Sequence, residues 1–462
     1  MITNVIAEPS APVSKGLRAG SLGLTSSVVI AVSSTAPAYS MAATLGLIVA
    51  IVGVHSPGTL IFSFLPMLCI AYAFRELNKS DPDCGTTFTW TTRAFGPLTG
   101  WMGGWGIIAA DVIVMASLSQ IAGRYALLLV GADGLAAQTL RVTVGGLIFI
   151  GLLTWICYRG IEVSARLQQV LLAIELVTLG IFSVVAFVKA GTGHALPGAA
   201  HPSVAWLNPG RSAVISTIIL VAVFAVISTA ALAFAGPAFL TQHSTDVLSA
   251  MSTAVLGSTA GKLLILCVLT SATASTQTTI MPTARAVLAM AAHKALPARF
   301  AKMHPRYLTP TTATLVMGAI SAVFYVALTL TSKNVLADSA SSVGLLIAFY
   351  YGLTGFACAW FFRRELLASP RALIFKGVLP ALGGLALLAA FVLSIKSYWP
   401  AASSYSSFAG IGGIFLIGAG SLLVGVVLML VARWRLPAFF AGGTLPPVRQ
   451  PDTGPDAGSE AE

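Results

Sequence analysis

Charged residues are scarce in this chain. Only 9% of its 462 residues are Asp, Glu, Lys or Arg, whereas soluble domains average about 25%. The charges lie in short stretches between apolar runs of about 18 residues or more, which is the pattern of transmembrane helices. Segments of about ten residues with alternating polarity, the signature of a membrane β-barrel, do not occur. The sequence therefore predicts an all-α polytopic membrane protein.

Residues suited to covalent, metal or nucleotide chemistry are also few. The five cysteines show no metal-ligand spacing, and four lie inside apolar runs, so we interpret them as small buried side chains. The sequence contains no catalytic triad, no P-loop and no basic stripe with interleaved aromatic residues for nucleic acid. We therefore predict a protein that is not an enzyme and has no metal or cofactor. We expect it to contact the lipid bilayer and not to bind nucleic acid.

Eleven apolar runs are each long enough to cross a bilayer. They are 22–54, 57–77, 97–125, 141–158, 161–189, 211–236, 259–293, 310–331, 341–362, 372–395 and 407–432. Residues 1–20 are polar and lack the apolar core of a signal peptide, so the first span should insert the chain and leave the N-terminus inside. We predict a transmembrane domain over 21–435, with a cytoplasmic N-terminal segment (1–20) and a disordered cytoplasmic tail (436–462).

The basic residues do not fit a simple alternation of these spans. With the N-terminus inside, the positive-inside rule places Arg75, Arg93 and Arg159 in the cytoplasm. In the second half, twelve basic residues should share that side, against three outside, and the densest group lies at 285–306. A single crossing at 211–236 would put all twelve on the wrong side. Three explanations are open: 211–236 does not cross fully, the second half is inverted, or a span is missing just after Pro209.

Five stretches carry a resemblance to a known family. They are SSTAPAYSMAATLG (33–46), CGTTFTWTTRAFGPLTGW (84–101), LTSATASTQTTIMPTARAVLAMAAHKALP (269–297), HPRYLTPT (304–311) and GLTGFACAWFFRREL (352–366). On these residues the chain resembles bacterial permeases of the amino acid–polyamine–organocation family over roughly 20–435. The resemblance implies twelve spans: two inverted five-helix repeats and two C-terminal helices, with substrate bound where the first and sixth spans are broken. Here SVAWLNP (203–209) abuts GRSAVIST (210–217), so the sixth span is predicted to be missing.

The first candidate site is a break at Pro37, near the middle of the first span. Proline removes one backbone donor, and the hydroxyls of Ser33, Ser34 and Thr35 can satisfy the freed backbone groups. An unwound segment at this depth exposes N–H groups to a carboxylate and carbonyls to a cation, although a kinked structural helix is the alternative. With the resemblance, we expect substrate to contact the backbone of Ser34, Thr35, Ala36 and Pro37, with Tyr39 beside it.

The second candidate site is a polar ladder inside 259–293. Thr270, Thr273 and Gln277 lie three and four residues apart and share one helix face. The neighbouring face carries Ser271, Ser275 and Thr278. Ser and Thr can bond their own backbone at little cost, so helix–helix packing is an equal alternative to substrate binding. The resemblance implies that this helix lines the substrate site and makes Ser275 and Thr276 candidates for a coupling-cation site.

The third candidate is a pair of carboxyl groups, Asp111 and Glu175, each near the middle of a span. A carboxylate at that depth costs at least about 2.5 kcal/mol to insert, so it is usually paired or functional. Either residue is a candidate for carrying the proton that couples transport. The alternative is a protonated carboxyl that is hydrogen-bonded within the bundle.

These features predict secondary active transport of an amino acid or related amine across the inner membrane, by proton coupling or by exchange with a counter-substrate. Loss of the sixth span would remove half of the site that the resemblance implies, so we expect transport to be weak or absent. A non-transporting or regulatory remnant is the main alternative. A channel would need a continuous polar lining, which only 270–279 offers, and a membrane enzyme would need clustered carboxylates or histidines.

Overall fold

The computed structural model describes residues 24–160, 165–200, 215–244, 246–332 and 334–445. The predicted segment 1–20, the junction after Pro209 and the tail beyond 445 lie outside these residues. The elements are α1 (Leu24–Ser34), α2 (Pro37–Val52), α3 (Ser56–Ser80), α4 (Thr87–Phe95), α5 (Pro97–Leu129), α6 (Asp133–Ala136), α7 (Thr139–Tyr158), α8 (Ala165–Gly191), α9 (Ile215–Gln242), α10 (Val247–Ala292), α11 (Thr311–Thr331), α12 (Val335–Phe361), α13 (Pro370–Ala372), α14 (Leu379–Tyr398), β1 (Ser407–Phe408), β2 (Ile411–Gly412), α15 (Gly413–Arg435) and α16 (Pro437–Phe440). A π-helical segment, Leu373–Val378, joins α13 to α14.

The described chain contains ten helical stretches that are long and apolar enough to cross a membrane. The first of them, Val28–Ser80, has 53 residues. It would be about 80 Å long if straight, against a hydrocarbon core of about 30 Å. It turns at Gly53, whose φ of 56° ends α2, and Val49 and Leu60 on either side of the turn pack in one buried cluster. The first stretch thus supplies two crossings, and the protein is an all-α, multi-pass membrane protein.

Two regions differ from the predicted spans. The stretch 78–96, between the predicted spans 57–77 and 97–125, contains α4, in which the Thr91 hydroxyl donates to the carbonyl of Thr87 at 2.5 Å. Such bonds let threonines lie buried in a helix, and a hydropathy pattern does not reveal them. The last span begins at Gly413 and not at 407, because β1 and β2 form a short antiparallel hairpin before it.

The predicted tail begins too early. Residues 436–445 were expected to be disordered, but they form α16 and a turn that packs on the bundle. Phe439 and Leu445 are buried, and the Phe439 ring stacks on Phe88 with 5.5 Å between centroids. The Thr444 hydroxyl donates to the carbonyl of His293 at 2.6 Å. Aromatic burial therefore orders a segment whose Pro and Gly content suggested disorder.

One end of the bundle gathers most of the basic loops, and we name it the basic end. It includes Arg93, Arg159, the loop 294–306 and Arg363. The Trp101 indole donates to the carbonyl of Ala295 at 3.2 Å, and the Thr309 hydroxyl donates to the carbonyl of Tyr158 at 2.9 Å. These contacts bring loops from both halves to the same end. The second half is therefore not inverted relative to the first.

The opposite end is closed by two short helical pieces, 237–242 and 247–256. Gly236 and Gly257 lie at φ of 73° and 82°, which interrupts α9 and α10 on either side of them. The first piece packs closely on α2, where a Cβ at Gly46 would approach the carbonyl oxygen of Leu240 to 2.6 Å. Lys189 at the end of α8 donates to the carbonyl of Ala254 at 2.7 Å. Glycine at positions 236, 257 and 46 thus permits the two short pieces to turn and to pack closely at this end of the bundle.

The spans α8 and α9 follow each other in the described chain but run in the same direction. Leu179, at the middle of α8, and Val223, in the first half of α9, line one shallow apolar groove. Beyond the end of α8, the N–H of Leu196 donates to the carbonyl of Phe234 at 2.8 Å, close to the end of α9. Consecutive spans that cross once each must alternate in direction. Among the described residues, α9 is long enough to cross, and its parallel course beside α8 is consistent with the predicted loss of a span, which stays a prediction.

Candidate functional site

The first span is broken between α1 and α2. Ala36 lies between them in the left-handed region, at φ 45° and ψ 69°, which is uncommon for a residue with a side chain. Pro37 then opens α2 and has no N–H to donate. The break is present where the sequence predicted it, at a depth where a lipid environment offers the backbone no hydrogen bonds.

Side chains satisfy the backbone groups that the break frees. The Ser275 hydroxyl donates to the carbonyl of Ser34 at 3.0 Å, and the Ser40 hydroxyl donates to the carbonyl of Thr35 at 2.6 Å. On the other side of the break, the N–H of Tyr39 donates to the Ser271 hydroxyl at 3.3 Å. The helix α10 therefore holds both halves of the broken span, through two hydroxyls one turn apart.

Glu175 supplies the carboxyl group that contacts the break. Its Oε1 accepts the N–H of Ala38 at 2.8 Å and the Ser271 hydroxyl at 2.7 Å, and the residue is only 3% exposed. The N-terminus of a helix carries a partial positive charge and unpaired N–H groups, so a carboxylate is stabilised there. One carboxyl group thus links α8, α2 and α10 at the middle of the membrane domain.

The structure separates the two faces of the predicted ladder. Thr270 and Thr273, predicted to contact substrate, donate to the carbonyls of Cys267 and Leu269 in their own helix, as does Thr276 to Ala272. Gln277 is buried. The contacts with the break come from Ser271 and Ser275, on the neighbouring face. Hydrogen bonding to the backbone of the same helix fits the packing role better for Thr270 and Thr273.

Tyr39 and Asp111 connect the site to α5 at different levels. The Tyr39 hydroxyl donates to the Ser117 hydroxyl at 2.8 Å. Asp111 lies further toward the basic end, where its carboxylate accepts a short hydrogen bond from the Thr283 hydroxyl. Thr283 is twelve residues from Ser271 in α10, which corresponds to about 18 Å. The two predicted coupling carboxyls are therefore separate sites.

One side of the break is open in the described structure. Ser33, Ala36 and Pro37 are buried, whereas Ser34 and Thr35 are exposed. Their carbonyls lie at the C-terminal end of α1, which carries a partial negative charge. This end of α1 can accept a cationic group such as a primary amine. Among the described residues, no group of three or more His, Cys, Asp or Glu side chains could hold a metal ion.

Comparison with known proteins finds similar permeases and transporters. Residues 22–212 match the model of the amino acid permease family. An uncharacterized transporter of Mycobacterium tuberculosis (strain ATCC 25618 / H37Rv) is 27% identical over 318 residues, which cover 62% of this chain and 68% of that protein. An uncharacterized transporter of Mycobacterium bovis matches equally well. The branched-chain amino acid permease BcaP of Lactococcus lactis subsp. cremoris is 27% identical over 150 residues, 30% of this chain and 31% of that protein.

The similarity to this family and to proteins named as transporters indicates a transporter and not an enzyme. The part of the chain that matches the family model contains the broken span, Asp111 and Glu175. Sequence reasoning found each of these residues but not their partners, Ser271 and the N–H of Ala38. In the sequence, Ser271 is notable only as part of the polar face next to the one that carries Thr270 and Thr273. Neither hydropathy nor spacing could have paired Ser271 with Glu175, because the two residues are 96 positions apart.

Proposed function

We propose that this permease carries an amino acid or a related amine across the cytoplasmic membrane, with its N-terminus and basic end in the cytoplasm. Proton coupling or exchange with a counter-substrate would drive it. The family supports the substrate class, and the concentration of Lys and Arg at one end supports the orientation.

One observation carries the coupling proposal: the Glu175 carboxyl bridges the N-terminus of α2 and the Ser271 hydroxyl. A charged carboxylate binds this positive helix end more strongly than a neutral carboxyl does. Protonation of Glu175 therefore loosens the contact of the broken span with α8 and α10. A proton taken up at Glu175 would in this way favour movement of the broken span.

The exposed side of the break is the proposed substrate contact. An ammonium group would be held by carbonyl oxygens at the C-terminal end of α1, including those of Ser34 and Thr35. The Ser40 hydroxyl, which already donates to the carbonyl of Thr35, lies within the same patch. The proposed coupling group and substrate contact thus lie on the same broken span.

The test is uptake of a panel of radiolabelled amino acids and amines into proteoliposomes, with and without an inward proton gradient. Proton coupling predicts saturable uptake that the gradient stimulates, and loss of that stimulation in Glu175→Gln. Asp111→Asn tests the second carboxyl, and Glu76→Gln is the matched control, because Glu76 pairs with Arg75 outside the site. Gradient dependence that is unchanged in both Glu175→Gln and Asp111→Asn would rule out coupling by either residue.

A second function, that of a non-transporting or regulatory remnant, is favoured by the parallel directions of α8 and α9. Two parallel consecutive spans are what the loss of the intervening sixth span would leave. Without that span, the open side of the break lacks the partner that the family resemblance implies. Purified, thermally stable protein that gives no saturable uptake of any compound in the panel would support the remnant. Saturable uptake would refute it.

A further inference from the structure

An apolar groove of about 500 Å³ lies near the basic end, between the end of α4 and the last turns of α12. It is lined by Phe95, Leu353, Phe356, Ala359 and Trp360. Phe95 and Trp360 are 39% and 49% exposed, and their ring centroids are 6.2 Å apart. From Leu353 to Trp360 the groove follows α12 for about 10 Å. Its apolar lining and its length suit about half of one phospholipid acyl chain lying along the helix.

The guanidinium group of Arg363 lies at the end of this groove. The Arg363 guanidinium lies 4.7 Å from the centroid of the Trp360 ring and donates to the Trp360 carbonyl at 2.9 Å. Stacking on the ring and this one bond leave most of the five guanidinium donors available. The side chain is thus held in place without its hydrogen-bonding capacity being used up.

The neighbouring acidic residues already have cationic partners. Asp81 pairs with Arg93 at 3.2 Å, and Glu365 pairs with Lys376 at 2.6 Å. Within the described chain, Arg363 has no carboxylate partner, and Arg364 adds a second positive charge beside it. The mouth of the groove therefore has an unmatched positive charge at the level where α12 leaves the membrane.

We propose that this groove is a binding site for an anionic phospholipid, with one acyl chain along α12 and the phosphate on Arg363. The planar guanidinium matches the geometry of a phosphate oxygen pair. A zwitterionic lipid offers the same phosphate but adds an ammonium group, and the described acidic residues near this mouth, Asp81 and Glu365, are already paired with Arg93 and Lys376. The anionic lipid should therefore bind more tightly.

Quenching of Trp360 fluorescence by brominated acyl chains tests the proposal. The full-length protein is reconstituted in vesicles that contain brominated phosphatidylglycerol or brominated phosphatidylcholine. The chain has eight tryptophans, so the Trp360 signal is taken as the difference from Trp360→Phe. We expect phosphatidylglycerol to occupy the site about five-fold more readily, since one basic residue near an anionic surface is worth about 1 kcal/mol.

Two variants and one control identify the source of the preference. Arg363→Gln should abolish the preference for phosphatidylglycerol, and Ala359→Leu, which fills the groove but keeps the cation, should reduce quenching by both lipids. Arg435→Gln removes the same charge at the same end, away from the groove, and should change neither. Equal quenching by the two lipids in the unmodified protein, or an equal effect of Arg363→Gln and Arg435→Gln, would overturn the proposal.

Discussion

Replacing Glu175 tests the bridge at the broken span, and the structure sets the size of the effect. Alanine at this position leaves two buried donors, the Ala38 N–H and the Ser271 hydroxyl, without an acceptor. Each unsatisfied donor costs about 1–3 kcal/mol, so Glu175→Ala should destabilise the protein by about 2–6 kcal/mol. Glutamine keeps one carbonyl oxygen and loses only the charge, so Glu175→Gln should cost about 1–2 kcal/mol.

Thermal unfolding in detergent compares the stability of these variants. A thiol-reactive dye reports the exposure of buried cysteines on unfolding. Four cysteines are buried and suit the assay: Cys69, Cys157, Cys267 and Cys358. We expect Tm to fall from the unmodified protein to Glu175→Gln and again to Glu175→Ala. Because Ser271 shares the bond, Ser271→Ala combined with Glu175→Ala should cost less than the two changes added separately, with a coupling of about 0.5–3 kcal/mol.

The reasoning fails if Glu175→Ala unfolds at the same temperature as Glu76→Gln, whose carboxyl lies outside the site. It also fails if the changes at Glu175 and Ser271 are strictly additive, since that would mean that the two side chains do not interact in solution. Either result would remove the structural basis for coupling through Glu175.

Three further predictions concern the ends of the bundle. In a variant whose five cysteines are replaced, Lys302→Cys should react with a membrane-impermeant maleimide only in permeabilised cells. Lys262→Cys should react in intact cells as well. The reverse pattern would place the basic end outside the cell. Asp246→Asn should lower the free energy of unfolding by about 1–3 kcal/mol, because Asp246 pairs with Arg124 at 3.0 Å and accepts a hydrogen bond from Tyr125. Because the Arg124 side chain is 39% exposed, this loss should be smaller than that for a fully buried pair. Asp133→Asn, at an exposed position, should be nearly neutral in the same dye assay, and an equal loss of stability would show that the contacts of Asp246 with Arg124 and Tyr125 are not important for stability. Phe439→Ala should lower the free energy of unfolding by about 3 kcal/mol, because the buried ring loses its packing. Trp434→Ala is the control, because Trp434 is 80% exposed. An equal loss of stability in both variants would show that burial of Phe439 is not important for stability.

The sequence predicted most of what depends on neighbouring residues. The spans follow from the length of apolar runs, because a bilayer of fixed thickness sets the length of helix that can cross it. The break follows from Pro37, because proline lacks the N–H that a continuous helix needs. The charge pattern predicted that the loop 294–306 shares an end with Arg93 and Arg159, and the contacts of Ala295 and Thr309 agree. It also predicted that a single crossing at 211–236 does not fit the distribution of basic residues, and the missing span stays a prediction.

Only the tertiary structure decided which distant residues meet. Periodicity divided the polar ladder into two faces, but the rotation of α10 against its neighbours decided that Ser271 and Ser275, rather than Thr270 and Thr273, contact the break. Glu175 and Ala38 are 137 residues apart, and their bond depends on how α8 packs against α2. The parallel course of α8 and α9 and the burial of Phe439 likewise result from packing between segments that no local pattern connects. Local hydropathy and proline chemistry act within one turn or one span, whereas the candidate site is built from side chains that only the packed bundle brings together.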